Sequence, residues 1–123
     1  MNSAKIPGEQ LRKELIANHY GKDFLNDFAN TIIQNIHDQG EVRRTDYAAK
    51  IIELKLTTKS THAIDFYGYI SDALLSTISI YAYDHLSKDA LNELAAMSLN
   101  LSFLFNATLT HIDADNAILT ISL

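Results

Sequence analysis

The sequence predicts a mostly α fold, α+β only in a minor part: a compact bundle of about five helices around a central apolar helical hairpin, with a short C-terminal β-hairpin or edge strand. Three observations carry that expectation. Apolar side chains recur at helical spacing through much of the chain, residues 63–86 are apolar around most of a helical circumference, and threonine, isoleucine and leucine dominate from Thr108 onward.

Residues 1–8 read as a flexible arm ahead of a single helical domain over 9–123. Leu11, Leu15 and Ile16 set a first helix over Glu9–Tyr20, with Gly21 as its stop. Asp23 caps a second, in which Leu25, Phe28, Ile32 and Ile36 form one stripe ending near Gly40. Thr45 or Asp46 starts a third, carrying Tyr47, Ala48, Ile51, Ile52 and Lys55 until the polar run 57–61; a strand over Ile51–Thr57 competes with it.

The fourth helix, Ala63–Leu86, places Asp65, Tyr69, Asp72, Ser76, Ser79 and Tyr83 on one polar seam, because their spacings alternate between four and three. Every other face is largely apolar, so this helix is expected at the centre. Ser87 starts its hairpin partner, in which Leu91, Leu94, Met97 or Ser98, Leu101 and Phe105 continue the apolar pattern. Thr108–Ile112 and Ala117–Leu123 then read as two short strands around the turn residues Asp113, Ala114, Asp115 and Asn116. No internal repeat is evident from these patterns.

A chain of 123 residues with 47% hydrophobic and 20% charged side chains is expected to bury one continuous core. It contains no cysteine, which excludes disulfides, thiolate metal sites and cysteine nucleophiles and fits a cytoplasmic setting. No apolar signal segment follows the N-terminus, and Asp72 interrupts the one run long enough to suggest a membrane helix, so no membrane association is expected.

Net charge is −5, and it is unevenly spread: residues 63–123 hold seven acidic side chains against Lys88 alone. Such a surface repels nucleic-acid phosphates and steers a basic protein partner. The basic cluster Arg43 and Arg44, with Lys50, Lys55 and Lys59 nearby, is interleaved with Glu41, Asp46 and Glu53 and has no aromatic platform, so it reads as a solvated face.

Chemistry-bearing patterns are sparse. His111, Asp113 and Asp115 alternate and would share one face of a strand as metal ligands, but Ile118 stands where a calcium loop needs glycine; turn-forming aspartates account for them better. His85, with Asp84 and Tyr81, resembles a proton relay, yet a histidine near a helix C-terminus is favoured by the macrodipole alone. Asp65 and Asp72 stand about 10.5 Å apart along a helix axis, too far for a paired-carboxylate mechanism. Glycine-rich phosphate loops, zinc-binding histidine pairs and nucleophile elbows are missing. No cofactor or catalytic residue is predicted, and the balance leans against an enzyme.

The leading expectation is a small acidic interaction protein, an inhibitor or immunity-type protein that masks a basic partner through Asp65, Tyr69, Asp72, Tyr83, Asp84 and Asp89. The alternatives are a small-molecule-binding protein or minor enzyme with an apolar pocket served by Tyr67, Tyr81 and His85, and an accessory or chaperone subunit. A homodimer is also expected, through Phe66, Ala73 and Ile80 or Ile64, Leu75 and Ala82, or through an unpaired edge on Ala117–Leu123.

Overall fold

In the computed structural model, which describes residues 7–36, 39–58, 62–97 and 100–123, the chain is an α+β fold built on a four-stranded antiparallel sheet. Helix α1 (Glu9–Glu14) runs into a π-helical turn, Leu15–His19, and is followed by α2 (Lys22–Asn35), β1 (Gln39–Asp46) and β2 (Ile51–Thr57). A 3₁₀ turn, Ala63–Phe66, leads into α3 (Tyr67–Tyr81). Another, Tyr83–His85, leads to α4 (Lys88–Met97), a third spans Ser102–Leu104, and β3 (Asn106–His111) and β4 (Asn116–Ser122) complete the chain. The sheet order is β1-β2-β4-β3.

This corrects the mostly helical bundle. The segment read as a third helix is the β1–β2 hairpin: Ile52, Leu54 and Leu56 are buried while Ile51, Glu53, Lys55 and Thr57 face outward, a period of two. Asp46 does cap a turn, accepting the Ala49 N–H at 2.9 Å, but the chain reverses there through Lys50, which sits at φ 58 and donates its Nζ to the Tyr20 carbonyl at 2.8 Å. Ile51, Ile52 and Lys55 satisfy helical and strand periods equally over so short a stretch. Cross-strand partners settled the matter, because Ile52 pairs Ile121 and Leu54 pairs Leu119.

The expected central hairpin is also replaced. Helix α3 packs on α2, and α4 packs on α1. Ile70, Ala73, Leu74 and Ile78 of α3 are buried, each large side chain contributing about 1.5–3 kcal/mol of transfer free energy, whereas Gly68, Asp72, Ser76, Ser79 and Ile80 face solvent. Helix α3 is thus a half-buried helix. The pattern over Leu101–Phe105 belongs to a turn entering β3; Ser98 and Leu99 lie outside the described residues, as do residues 1–6 of the expected arm and 59–61. The tail strands form where expected, but as half of the sheet. Ala117–Leu123 is not an edge, since β4 lies between β2 and β3.

The chain contains an internal repeat. Each half runs helix, helix, strand, strand, and the order β1-β2-β4-β3 is what a two-fold axis between β2 and β4 produces. The same axis relates the α2–α3 contact to the α1–α4 contact, although α2 also rests on β1 and β2 and α4 makes no comparable contact with β3 or β4 among the described residues. The sequence carries the relation over residues 19–30 and 85–96: His19, Lys22, Asp23, Leu25, Asn26 and Ala29 recur as His85, Lys88, Asp89, Leu91, Asn92 and Ala95, with Asp27 matched by Glu93. Packing follows the sequence. Asp27 accepts from the Tyr81 hydroxyl at 2.6 Å and ties α2 to α3, while Glu93 accepts from the Leu11 N–H at 2.8 Å and ties α4 to α1. The rings of His19 and His85, equivalent by the same relation, lie 6.1 Å apart at 23°.

Candidate functional site

Departures from the repeat converge on one surface. The equivalent of Glu9, where α1 begins, is Leu75; the second half starts its helical structure earlier, at Ala63. In the first half α2 reaches β1 across 36–38, whereas α4 reaches β3 across 98–105, with the 3₁₀ turn inserted. These two additions meet. Ile64, Tyr67, Gly68, Ser71 and Asp72 from one, with Asn100, Ser102 and Phe103 from the other, line a trough of 560 Å³. A second depression of 400 Å³ shares Asn100 and Phe103 and adds Pro7, Gly8, Glu93, Ala96 and Met97.

The walls are held by specific contacts. Leu101 and Leu104 are buried and fix the 3₁₀ turn, so Phe103 between them is turned outward at 58% exposure. Asn100 Oδ1 accepts the Ser102 N–H at 3.2 Å and its hydroxyl at 2.7 Å. Tyr67 stacks on Phe105 with centroids 5.0 Å apart, and its hydroxyl accepts the Ala107 N–H at 3.3 Å. Gly8 closes the second depression at φ 74, a backbone conformation that favours glycine, with Met97 Cε against it. Opposite Phe103, Ile64 is 68% exposed. Among the described residues, Asp72 and Glu93 are the only charged ones lining the two depressions, one in each.

The acidic seam is distributed over several places. Asp65 and Asp72 are exposed at the trough end of α3, and Tyr69 between them is half-buried. Tyr83 and Asp84 are exposed at the other end, about 16 Å from Asp72 by helical rise. Asp89 lies in the first turn of α4 and lines a polar groove with Glu9, Gln10, Lys13, Asn92, Glu93 and Ala96. Only Asp72 of the six lines the trough. In the sequence Ile64 stands only in an expected dimer face and Phe103 in the apolar run that ends at Phe105; neither is linked there to Asp72, and that link depends on the parts that the repeat does not share.

The remaining candidates are accounted for by structure. Arg43 lies at the β1 bulge, and Arg44 pairs with Glu53 at 3.1 and 3.3 Å and with Asp46 at 3.7 Å. Hydrogen bonding to Glu53 raises the Arg44 guanidinium above its usual value and lowers the Glu53 carboxyl. Asp113 accepts the Asp115 and Asn116 N–H groups, both at 2.9 Å, and these bonds hold its carboxyl below the usual range. Its oxygens therefore close the β3–β4 turn, and among the described residues no cluster of three or more His, Asp or Glu is arranged to hold a metal. Tyr67, Tyr81 and His85 do not share a pocket: Tyr67 faces Phe105, Tyr81 bonds Asp27, and His85 lies beside His19. Among the described residues no helix is long and apolar enough to cross a membrane.

No protein-family model, curated protein or solved structure matches the chain.

Proposed function

We propose that this protein acts by binding a basic partner protein and masking it, as an inhibitor or immunity protein does, in the cytoplasm, and that the trough beside α3 is the docking surface. One observation carries the reading: the two segments that depart from the internal repeat come together to expose Ile64 and Phe103 next to Asp72. Ile80 and Ile112 are exposed as well, but Ile64 and Phe103 line one depression together, and it is adjoining apolar side chains rimmed by polar ones that mark interaction surfaces. A partner bearing lysine or arginine would meet the exposed Asp72 carboxylate favourably.

The test is capture of a partner on the wild-type chain, followed by titration of that purified partner against wild type and a Phe103→Ser, Asp72→Lys variant. Both positions are exposed, so the variant should melt with the wild type. The expected result is a loss of affinity of about tenfold or more, with wild-type binding weakening as salt rises. Undiminished binding by the variant would remove the trough as the docking surface.

A further inference from the structure

Building on that reading of the trough, we infer that its occupant is an amphipathic helix of the partner, which seats one large apolar side chain on each side of Phe103 and brings a lysine or arginine to each carboxylate. The two depressions, 560 and 400 Å³, share Phe103 and Asn100 as a common ridge. Each combines apolar lining, Ile64 and Tyr67 in one and Met97 and Pro7 in the other, with a single acid, Asp72 or Glu93. The demand on a ligand is therefore repeated: apolar anchor and cation, then apolar anchor and cation.

A helix meets that demand with residues three, four or seven apart on one face, at spacings of about 5 to 10.5 Å. Strand addition draws its affinity from main-chain ladders, and the described residues that line the two depressions belong to α3, α4, their flanking turns and the start of α1, with no strand residue among them. Glu93 already accepts the Leu11 N–H through Oε1, so its second oxygen is the one offered to a cation. Asp72 is expected to be the stronger of the two contacts.

The probe is a fluorescein-labelled fourteen-residue peptide of leucine and lysine in a helical amphipathic pattern, compared by anisotropy with its leucine–glutamate counterpart against the whole protein. The leucine–lysine peptide should bind with a Kd below about 100 µM and at least about tenfold more tightly than the acidic one. Phe103→Ser should weaken it about fivefold or more, Asp72→Asn should reduce the preference for lysine, and Glu41→Gln, on β1 and outside both depressions, should leave both unchanged. Equal binding of the two peptides, or binding indifferent to Phe103→Ser, overturns the inference. The two levels separate cleanly. A partner that needs Phe103 but is not displaced by the leucine–lysine peptide leaves the docking surface standing and removes the helix, whereas indifference of both to Phe103→Ser removes both.

Discussion

Tyr20 is 2% exposed, and among the described residues its hydroxyl has no hydrogen-bond partner. An orphaned buried hydroxyl keeps its desolvation cost with no compensating bond, so Tyr20→Phe should stabilise the fold by about 1 kcal/mol, read as a rise of several degrees in Tm. The same burial pushes the phenol far above its ordinary value of 10.0, with Arg12 opposing weakly. Because the folded state holds the proton more tightly than the unfolded one, the associated stability is complete below pH 10 and declines as pH rises beyond it. Urea unfolding at pH 9 to 11 should show that decline in wild type and lose this component in Tyr20→Phe; a steeper alkaline loss in the variant would contradict it. In sequence, Tyr20 was only the residue before a helix-stopping glycine. Its burial arises because α2 begins at once and carries Phe24 against it, with ring centroids 5.0 Å apart.

Between elements, the Glu14–Ser87 tie has no counterpart in the other half, where the equivalent residues are Ile80 and Gly21. Glu14 Oε1 accepts the Ser87 N–H at 2.8 Å, Oε2 accepts the Ser87 hydroxyl and the Gln10 amide, and the Ser87 hydroxyl oxygen accepts the Ala90 N–H at 3.2 Å. A carboxylate on α1 thus completes the N-cap of α4. Glu14→Ala should cost about 1 kcal/mol, the magnitude of a lost cap. The backbone and hydroxyl bonds from Ser87, then Gln10 and His19, hold the Glu14 carboxyl below its ordinary 4.5. That stability is present above pH 4.5 and is lost as pH falls through the lower folded value, so acid titration of the two proteins should converge below pH 4.5. Ser87 as a cap was legible in the sequence, and the glutamate that reaches it from 73 residues away was not. Similarly, Ile51–Thr57 was legible as a strand only as the competing reading, and β1 was not legible at all, because Glu41, Arg43 and Arg44 break the apolar alternation on a bulged edge.

At the scale of the molecule, the repeat predicts tolerance of rearrangement. The link from β2 to α3 and a new link from β4 to α1 are related by the internal two-fold, apart from the added turns of α3, whose length residues 1–8 can supply. A circular permutant opened at residue 60, with Leu123 joined to Met1 through a short glycine–serine linker, should fold with a single cooperative transition and a circular dichroism spectrum like that of the parent. Two separated transitions, or loss of the β signal, would show that the halves do not share one core in the way Leu54 opposite Leu119 implies.

The sequence by itself determined the local facts: α2, the helical core of residues 67–81, the cap at Ser87, the tail hairpin and the exposed Asp72. Each of these depends on neighbours within about a turn, where spacing and capping chemistry dominate. Tertiary structure decided which elements meet. Helix α3 chose α2 over its neighbour α4, the tail hairpin became one half of a sheet with β4 inside and β3 at the edge, and Ile64 and Phe103 were brought together beside Asp72. Those outcomes turn on which apolar faces pack together across long sequence separations, and a hydrophobic pattern records that a face must be covered without recording by what. The repeat lay between the two: its sequence signature was present over residues 19–30 and 85–96, but only the two-fold arrangement of β2 and β4 gave those matched residues equivalent places.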